Sequence, residues 1–83
     1  MENAIGEMEL SDLGRFIAAR TGDLDAAAIA HSSAPQVRYN AVVTARVSSP
    51  SWRDAFTDDE LRALVARVTE PIQEELLMKL NLA

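Results

Sequence analysis

The sequence predicts a mainly α-helical domain: a small bundle of three to four helices with a long kinked C-terminal helix. Alanine, the best helix former, occurs 14 times, whereas glycine and proline, which turns require, occur three times each. The stretch Thr57–Glu60 has the pattern of a capping box, which marks a helix start. Apolar residues then recur at helical spacing: Leu61, Leu64, Val65, Val68, Ile72, Leu76 and Leu80.

The length and composition limit the class of protein. The 83 residues are enough for one small domain, which we take as residues 1–83. No cysteine is present, which excludes disulfides, zinc–thiolate sites and thiolate nucleophiles. The first residues lack a basic and apolar leader pattern, and the longest uncharged run has 12 residues, below the ~20 that a membrane helix needs. We therefore expect a cytoplasmic protein that makes no membrane contact.

The net charge of −5 is divided into three blocks along the chain. Residues 1–25 carry six acids and two arginines, a net charge of −4, and residues 54–83 carry seven acids and three basic residues, again −4. Residues 26–53 contain no acid and three arginines, Arg38, Arg46 and Arg53, for +3. This block either meets an acidic partner or phosphate, or folds against the acidic flanks of its own chain.

Local signals place the N-terminal helices. A helix is expected from Ser11 to a stop at Gly22, which suits the left-handed position that ends many helices. Asp23 can cap the next helix, and Ser33–Gln36 offers a third start with a serine cap, an early proline and a capping-box glutamine. The segment Ser48–Ser51 is expected to be a loop.

Pro71 interrupts the apolar stripe of the C-terminal helix. It either kinks one helix across 58–81, or breaks it so that Thr69 caps a second helix. The stripe continues in register from Val68 to Ile72, which favours the kink. Beyond it, residues 76–83 are apolar on most sides, and such a segment must be buried. We expect it to dock on a partner or on a second copy.

Residues 37–47 fit two interpretations. Apolar and polar residues alternate almost perfectly, which is typical of a half-buried strand, here pairing across a dimer in an α+β fold. As a helix, the same residues place apolar side chains at nearly every angle. Composition and the Ser33–Gln36 start favour the helix.

The residues for catalysis are sparse. His31 is the only histidine, and its neighbours Ser32 and Ser33 would point in other directions on a helix, so no serine–histidine dyad is implied. Asp23 and Asp25 lack the further ligands of a calcium loop. We expect no catalytic residue, no cofactor and no metal site, and therefore no enzyme, although a small subunit of an enzyme complex remains open.

The stretch Ala26–Ala45 weakly resembles the helix-turn-helix pattern of bacterial repressors. Ala27 falls where that motif has a small residue and Val37 on an apolar recognition-helix position, while His31 replaces the turn glycine. The resemblance implies a dimeric DNA-binding regulator as the alternative function. Its groove contacts would be Gln36, Arg38, Tyr39 and Arg46.

Protein interaction is the function that the sequence favours. Trp52, the sole tryptophan, would either anchor a partner or close a loop onto the core. We expect a small accessory or regulatory protein that self-associates, docks its apolar end in a groove of a larger protein and engages an acidic surface with its arginines. The expected partner-binding residues are Arg38, Arg46, Trp52, Arg53, Leu77, Met78 and Leu82.

Overall fold

Helices account for most of the chain in a computed structural model that describes residues 4–82. The six α-helices are α1 (Leu10–Thr21), α2 (Leu24–Ala27), α3 (Pro35–Arg46), α4 (Pro50–Ala55), α5 (Asp58–Val65) and α6 (Ile72–Lys79). Two 3₁₀ turns, Ala4–Glu7 and Ala28–His31, complete the regular structure. No strand forms within residues 4–82, so the mainly α prediction is confirmed and residues 37–47 are not a strand.

The predicted caps of the first helices are present. Gly22 ends α1 with φ of 76°, and its N–H donates to the carbonyl of Ala18 at 2.7 Å. The Asp23 carboxylate accepts the N–H of Asp25 at 3.0 Å and so caps α2. These turns depend on neighbouring residues alone, which is why the sequence predicts them.

The capping box of α5 is also confirmed. Thr57 accepts the backbone N–H of Glu60 at 3.1 Å, and the Glu60 carboxylate accepts the N–H of Thr57 at 2.9 Å. The Thr57 N–H lowers the pKa of Glu60 and Arg20 lowers it further, which together outweigh the opposing effect of partial burial. The start of α5 is therefore stabilised by hydrogen bonds and by charge.

The long kinked C-terminal helix is wrong, because α5 ends at Val65 and α6 begins only at Ile72. Pro71 is itself the N-cap of α6, in place of the alternative Thr69, and the Glu70–Pro71 peptide bond is cis. A proline cannot donate the helical hydrogen bond and clashes with the preceding turn. The Gln73 side chain donates to the carbonyls of Ala66 and Val68, at 3.1 and 2.7 Å, and satisfies acceptors that the break leaves free.

Two predicted boundaries shift. The N-cap of α3 is Ala34, and no side chain caps it, so the expected serine cap and glutamine partner are absent. The predicted loop at Ser48–Ser51 is shorter than expected, because α4 begins at Pro50 with Ser49 as N-cap. Proline is favoured in the first helical turn, where its missing N–H costs nothing.

The core lies between α1, α3 and α5 and reaches every helix. The largest fully buried side chains are Trp52, Tyr39, Leu13, Ile17, Ile29, Leu61, Leu64 and Leu76. Tyr39 is 0% exposed, and its hydroxyl donates to the Leu64 carbonyl at 2.5 Å, which joins α3 to α5. Burial raises the pKa of Tyr39 despite the opposing charge of Arg67, so the phenol stays a hydrogen-bond donor.

Arg20 connects α1 to the start of α5. Its guanidinium lies 5.3 Å from the Phe16 ring centroid and 4.9 Å from that of Phe56. The same group donates to Glu60 at 3.0 Å and to the Ala55 carbonyl at 2.7 Å. The Arg20 side chain thus hydrogen-bonds both to the last residue of α4 and to a residue in the first turn of α5.

Gly14 provides a first test of this packing. A Cβ at this position would lie 2.5 Å from the Ala26 carbonyl oxygen and 3.0 Å from the Ile29 Cβ. We expect Gly14→Ala to lower the free energy of unfolding by about 2 kcal/mol in urea denaturation, since overpacking costs about 1–3 kcal/mol and outweighs the gain in helix propensity. The control Gly6→Ala, with nothing within 4 Å, should change it by less than about 0.5 kcal/mol. Equal stability of the two variants would contradict the close contact between α1 and α2.

Candidate protein-interaction surfaces

The arginines of the acid-free block are used in three different ways. Arg46, at the end of α3, donates to Asp23 and Asp25, each at 2.5 Å. Burial by itself raises the pKa of Asp23, but the hydrogen bond and charge of Arg46, with two backbone N–H groups, lower it overall. This arginine is thus neutralised by the acidic flank of its own chain.

Arg53 binds near the end of the chain, and Trp52 lies in the core. The Arg53 guanidinium donates to the Leu80 carbonyl at 3.1 Å, after the last turn of α6. Trp52 is 1% exposed, with its ring centroid 5.8 Å from that of Phe56. The structure therefore supports the interpretation of Trp52 as a core residue, since its ring is not accessible to a partner.

Arg38 stands on the outer face of α3. Its side chain is exposed and forms no hydrogen bond or ion pair with residues 4–82. It borders a surface depression of about 330 Å³ that it shares with Arg46, so the structure brings these two predicted residues together. We call this site the α3 depression; its lining residues are Asp25, Arg38, Ala41, Val42, Ala45 and Arg46.

Met78 stands on the outer face of α6 with 70% of its surface exposed. It borders a second depression of about 300 Å³, the α6 depression, which is lined by Pro71, Ile72, Glu74, Glu75 and Met78. Leu77 and Leu82, predicted to bind with it, are half-buried and pack against the core. Of the apolar residues in 76–82, Met78 alone is largely exposed, while Ala83 lies outside the described residues.

The predicted nucleic-acid contacts are mostly occupied within the chain. Gln36 donates to the Asn40 side chain at 2.8 Å and to the Arg67 carbonyl at 3.1 Å. Tyr39 is buried as described above, and Arg46 is paired with two aspartates. Arg38 is the only member of that set without a partner in residues 4–82.

The lining residues that sequence reasoning missed are Asp25, Ala41, Val42 and Ala45 around Arg38, and Pro71, Ile72, Glu74 and Glu75 around Met78. A helical period over 35–46 carries the signal for the first set, because 38, 41 and 45 share one face and the buried Val42 lies at its edge. Asp25 lies on α2 and lines the α3 depression only because the chain folds α2 against α3, so no local sequence pattern predicts it.

His31 lies exposed at the end of the second 3₁₀ turn. A third depression, of about 490 Å³, opens nearby, where the first residues of α1 meet that turn and the start of α3. Its polar lining residues are Glu9, Ser11 and Ser32. No group of three or more metal-ligating side chains is found in the part of the chain that the structure describes.

The Arg46 pairing predicts a pH-dependent loss of stability. Because the folded-state pKa of Asp23 lies below its unfolded value of ~3.9, the stabilisation is present above that value and is lost as pH falls through the folded pKa. We expect Arg46→Met to lower the urea midpoint at neutral pH, and the difference from the unsubstituted protein to shrink as the pH falls below that unfolded value.

The matched control for this pairing is Arg15→Met. Arg15 lies 3.7 Å from Asp12 on the same helix, and both side chains are well exposed, so this substitution should change the urea midpoint little at either pH. An Arg46→Met difference that persists unchanged at low pH would contradict the pairing.

No helix within residues 4–82 combines the length and apolar character needed to cross a bilayer. Comparison with known proteins finds no matching family, no similar curated protein and no similar solved structure. The evidence for function therefore lies in the α3 and α6 depressions and their exposed side chains.

Proposed function

We propose that this chain is a small non-enzymatic accessory or regulatory protein that self-associates and docks on a larger protein partner. The observation that carries the proposal is Met78, 70% exposed at the α6 depression beside two glutamates. An unbranched, polarizable methionine adapts to irregular apolar grooves and is common on binding surfaces.

The chemistry around Met78 describes the partner. Burial of an apolar side chain of this size stabilises a complex by about 1.5–3 kcal/mol. Glu74 and Glu75 form no ion pair with the described residues, so they favour a groove with a basic rim and disfavour an acidic one. The proposed docking site is thus an apolar contact at Met78, and the glutamates at its edge favour a partner with basic residues there.

We limit the proposed docking contact to one residue of the predicted segment 76–83. Leu76 and Leu80 are 1% and 2% exposed, and Leu77 and Leu82 pack on the core, so these side chains support the fold. Met78 is the apolar side chain of this segment that is free to contact a partner. A helical surface with one protruding anchor suits recognition by a hydrophobic groove.

The alternative function, DNA reading through 26–45, is less well supported by this arrangement. Residues 24–31 and 35–46 do form consecutive helical segments, but Gln36, Tyr39 and Arg46 make internal hydrogen bonds. Within residues 4–82 Arg38 is the one arginine with an unpartnered side chain, which neutralises few phosphates, and the chain carries a net charge of −5. A subunit of an enzyme complex would dock through the same α6 depression.

The test is affinity capture with tagged full-length protein from a lysate of its own cells, with and without nuclease. We expect one protein in stoichiometric amount, unaffected by nuclease and reduced at least about tenfold by Met78→Asp, since a charge at an apolar contact is unfavourable. A truncation after Glu75 is unsuitable, because it removes the buried Leu76 and Leu80.

Leu24→Asp is the matched control, since Leu24 is 81% exposed on a different helix. It should leave the capture unchanged, and both variants should keep the helical circular dichroism of the unsubstituted chain. Capture that survives Met78→Asp would contradict docking at the α6 depression. Recovery of DNA that nuclease abolishes would favour the regulator instead.

A further inference from the structure

The outer face of α3 carries exposed apolar side chains beside Arg38, although its inner face already supplies the core. Tyr39, Val42 and Val43 are buried, whereas Ala41 and Ala45 are exposed on the other side of the helix and Val37 is 66% exposed. Small side chains on this face leave the α3 depression open to a protruding side chain.

The α6 depression differs from the α3 depression in shape and charge. Met78 protrudes from α6, whereas Ala41, Val42 and Ala45 leave a recess on α3. Two glutamates give the lining of the α6 depression a charge of −2. At the α3 depression Arg46 is paired with Asp23 and Asp25, so the unpaired charge of its lining is the positive charge of Arg38. The two surfaces are therefore complementary in sign.

We infer that the α6 depression of one copy binds the α3 depression of a second copy. Met78 enters the recess of the second copy, and Glu74 faces its Arg38. The spacing allows both contacts at once, since Glu74 precedes Met78 by four residues and Arg38 precedes Val42 by four residues, one helical turn in each case. This inference rests on the self-association part of the proposed function and names its two surfaces.

The two contact surfaces are different, so the contact is heterologous. After the first contact forms, one copy keeps a free α3 depression and the other keeps a free α6 depression. Such an interface produces chains that lengthen with concentration, or a ring if the rotation closes.

The first test exchanges the charges and follows association of the full chain by sedimentation equilibrium over a concentration series. Arg38→Glu and Glu74→Arg should each raise the dissociation constant of self-association at least about tenfold, because each substitution places like charges face to face. The double variant R38E/E74R should recover most of the association. The controls Arg15→Glu and Asp54→Arg, outside both depressions, should match the unsubstituted protein.

The second test asks whether the two surfaces differ. Ala41→Glu blocks the α3 depression and Met78→Glu blocks the α6 depression, so each variant alone should stay monomeric. A mixture of the two retains one intact pair of surfaces and should form a 1:1 dimer that grows no further. Both positions are exposed, and circular dichroism of each variant verifies the fold.

Three outcomes would overturn the inference: a monomeric unsubstituted chain at every concentration, association of Ala41→Glu equal to that of the unsubstituted chain, or a mixture that stays monomeric. These outcomes are distinct from failure of partner docking. A monomeric chain whose captured partner still depends on Met78 would refute the self-contact and leave the docking proposal standing.

Discussion

The buried hydroxyl of Tyr39 determines how α3 is turned, and the exposed surfaces follow from that orientation. A phenol that is 0% exposed needs a hydrogen-bond acceptor, which the Leu64 carbonyl of α5 provides. With Tyr39 inward, Val42 and Val43 also face the core, and Arg38, Ala41 and Ala45 face outward. One satisfied polar group thus fixes the α3 depression.

Arginine side chains hold the ends of several elements together. Arg67 donates to the Ile5 carbonyl at 2.8 Å, Arg53 to the Leu80 carbonyl, and Arg20 to that of Ala55. Arg46 draws two aspartates of the N-terminal acidic block onto α3. The charge blocks of the sequence therefore partly fold onto one another, and among residues 4–82 Arg38 is the arginine whose side chain has no partner.

Features set by neighbouring residues could be predicted from the sequence, whereas features set by the fold could not. The capping box at Thr57 and the Gly22 stop need only adjacent residues. The sequence offers the break at Pro71 as an alternative but favours a kink, because the apolar stripe stays in register across the proline. The alternation in 37–47 comes from a helix with two apolar faces, an inner one with Tyr39 and an outer one with Ala41. Met78 and Arg38 are candidates from the sequence alone, whereas Asp25 joins the α3 depression through its contact with Arg46, 21 residues away.

The most direct test of two complementary surfaces is the dependence of backbone amide chemical shifts on concentration, measured on the isotope-labelled full chain over a dilution series. The account predicts shift changes at two separate places, residues 37–46 and residues 71–79, with the same concentration dependence at both. Constant shifts throughout, or changes confined to one of the two surfaces, would contradict it.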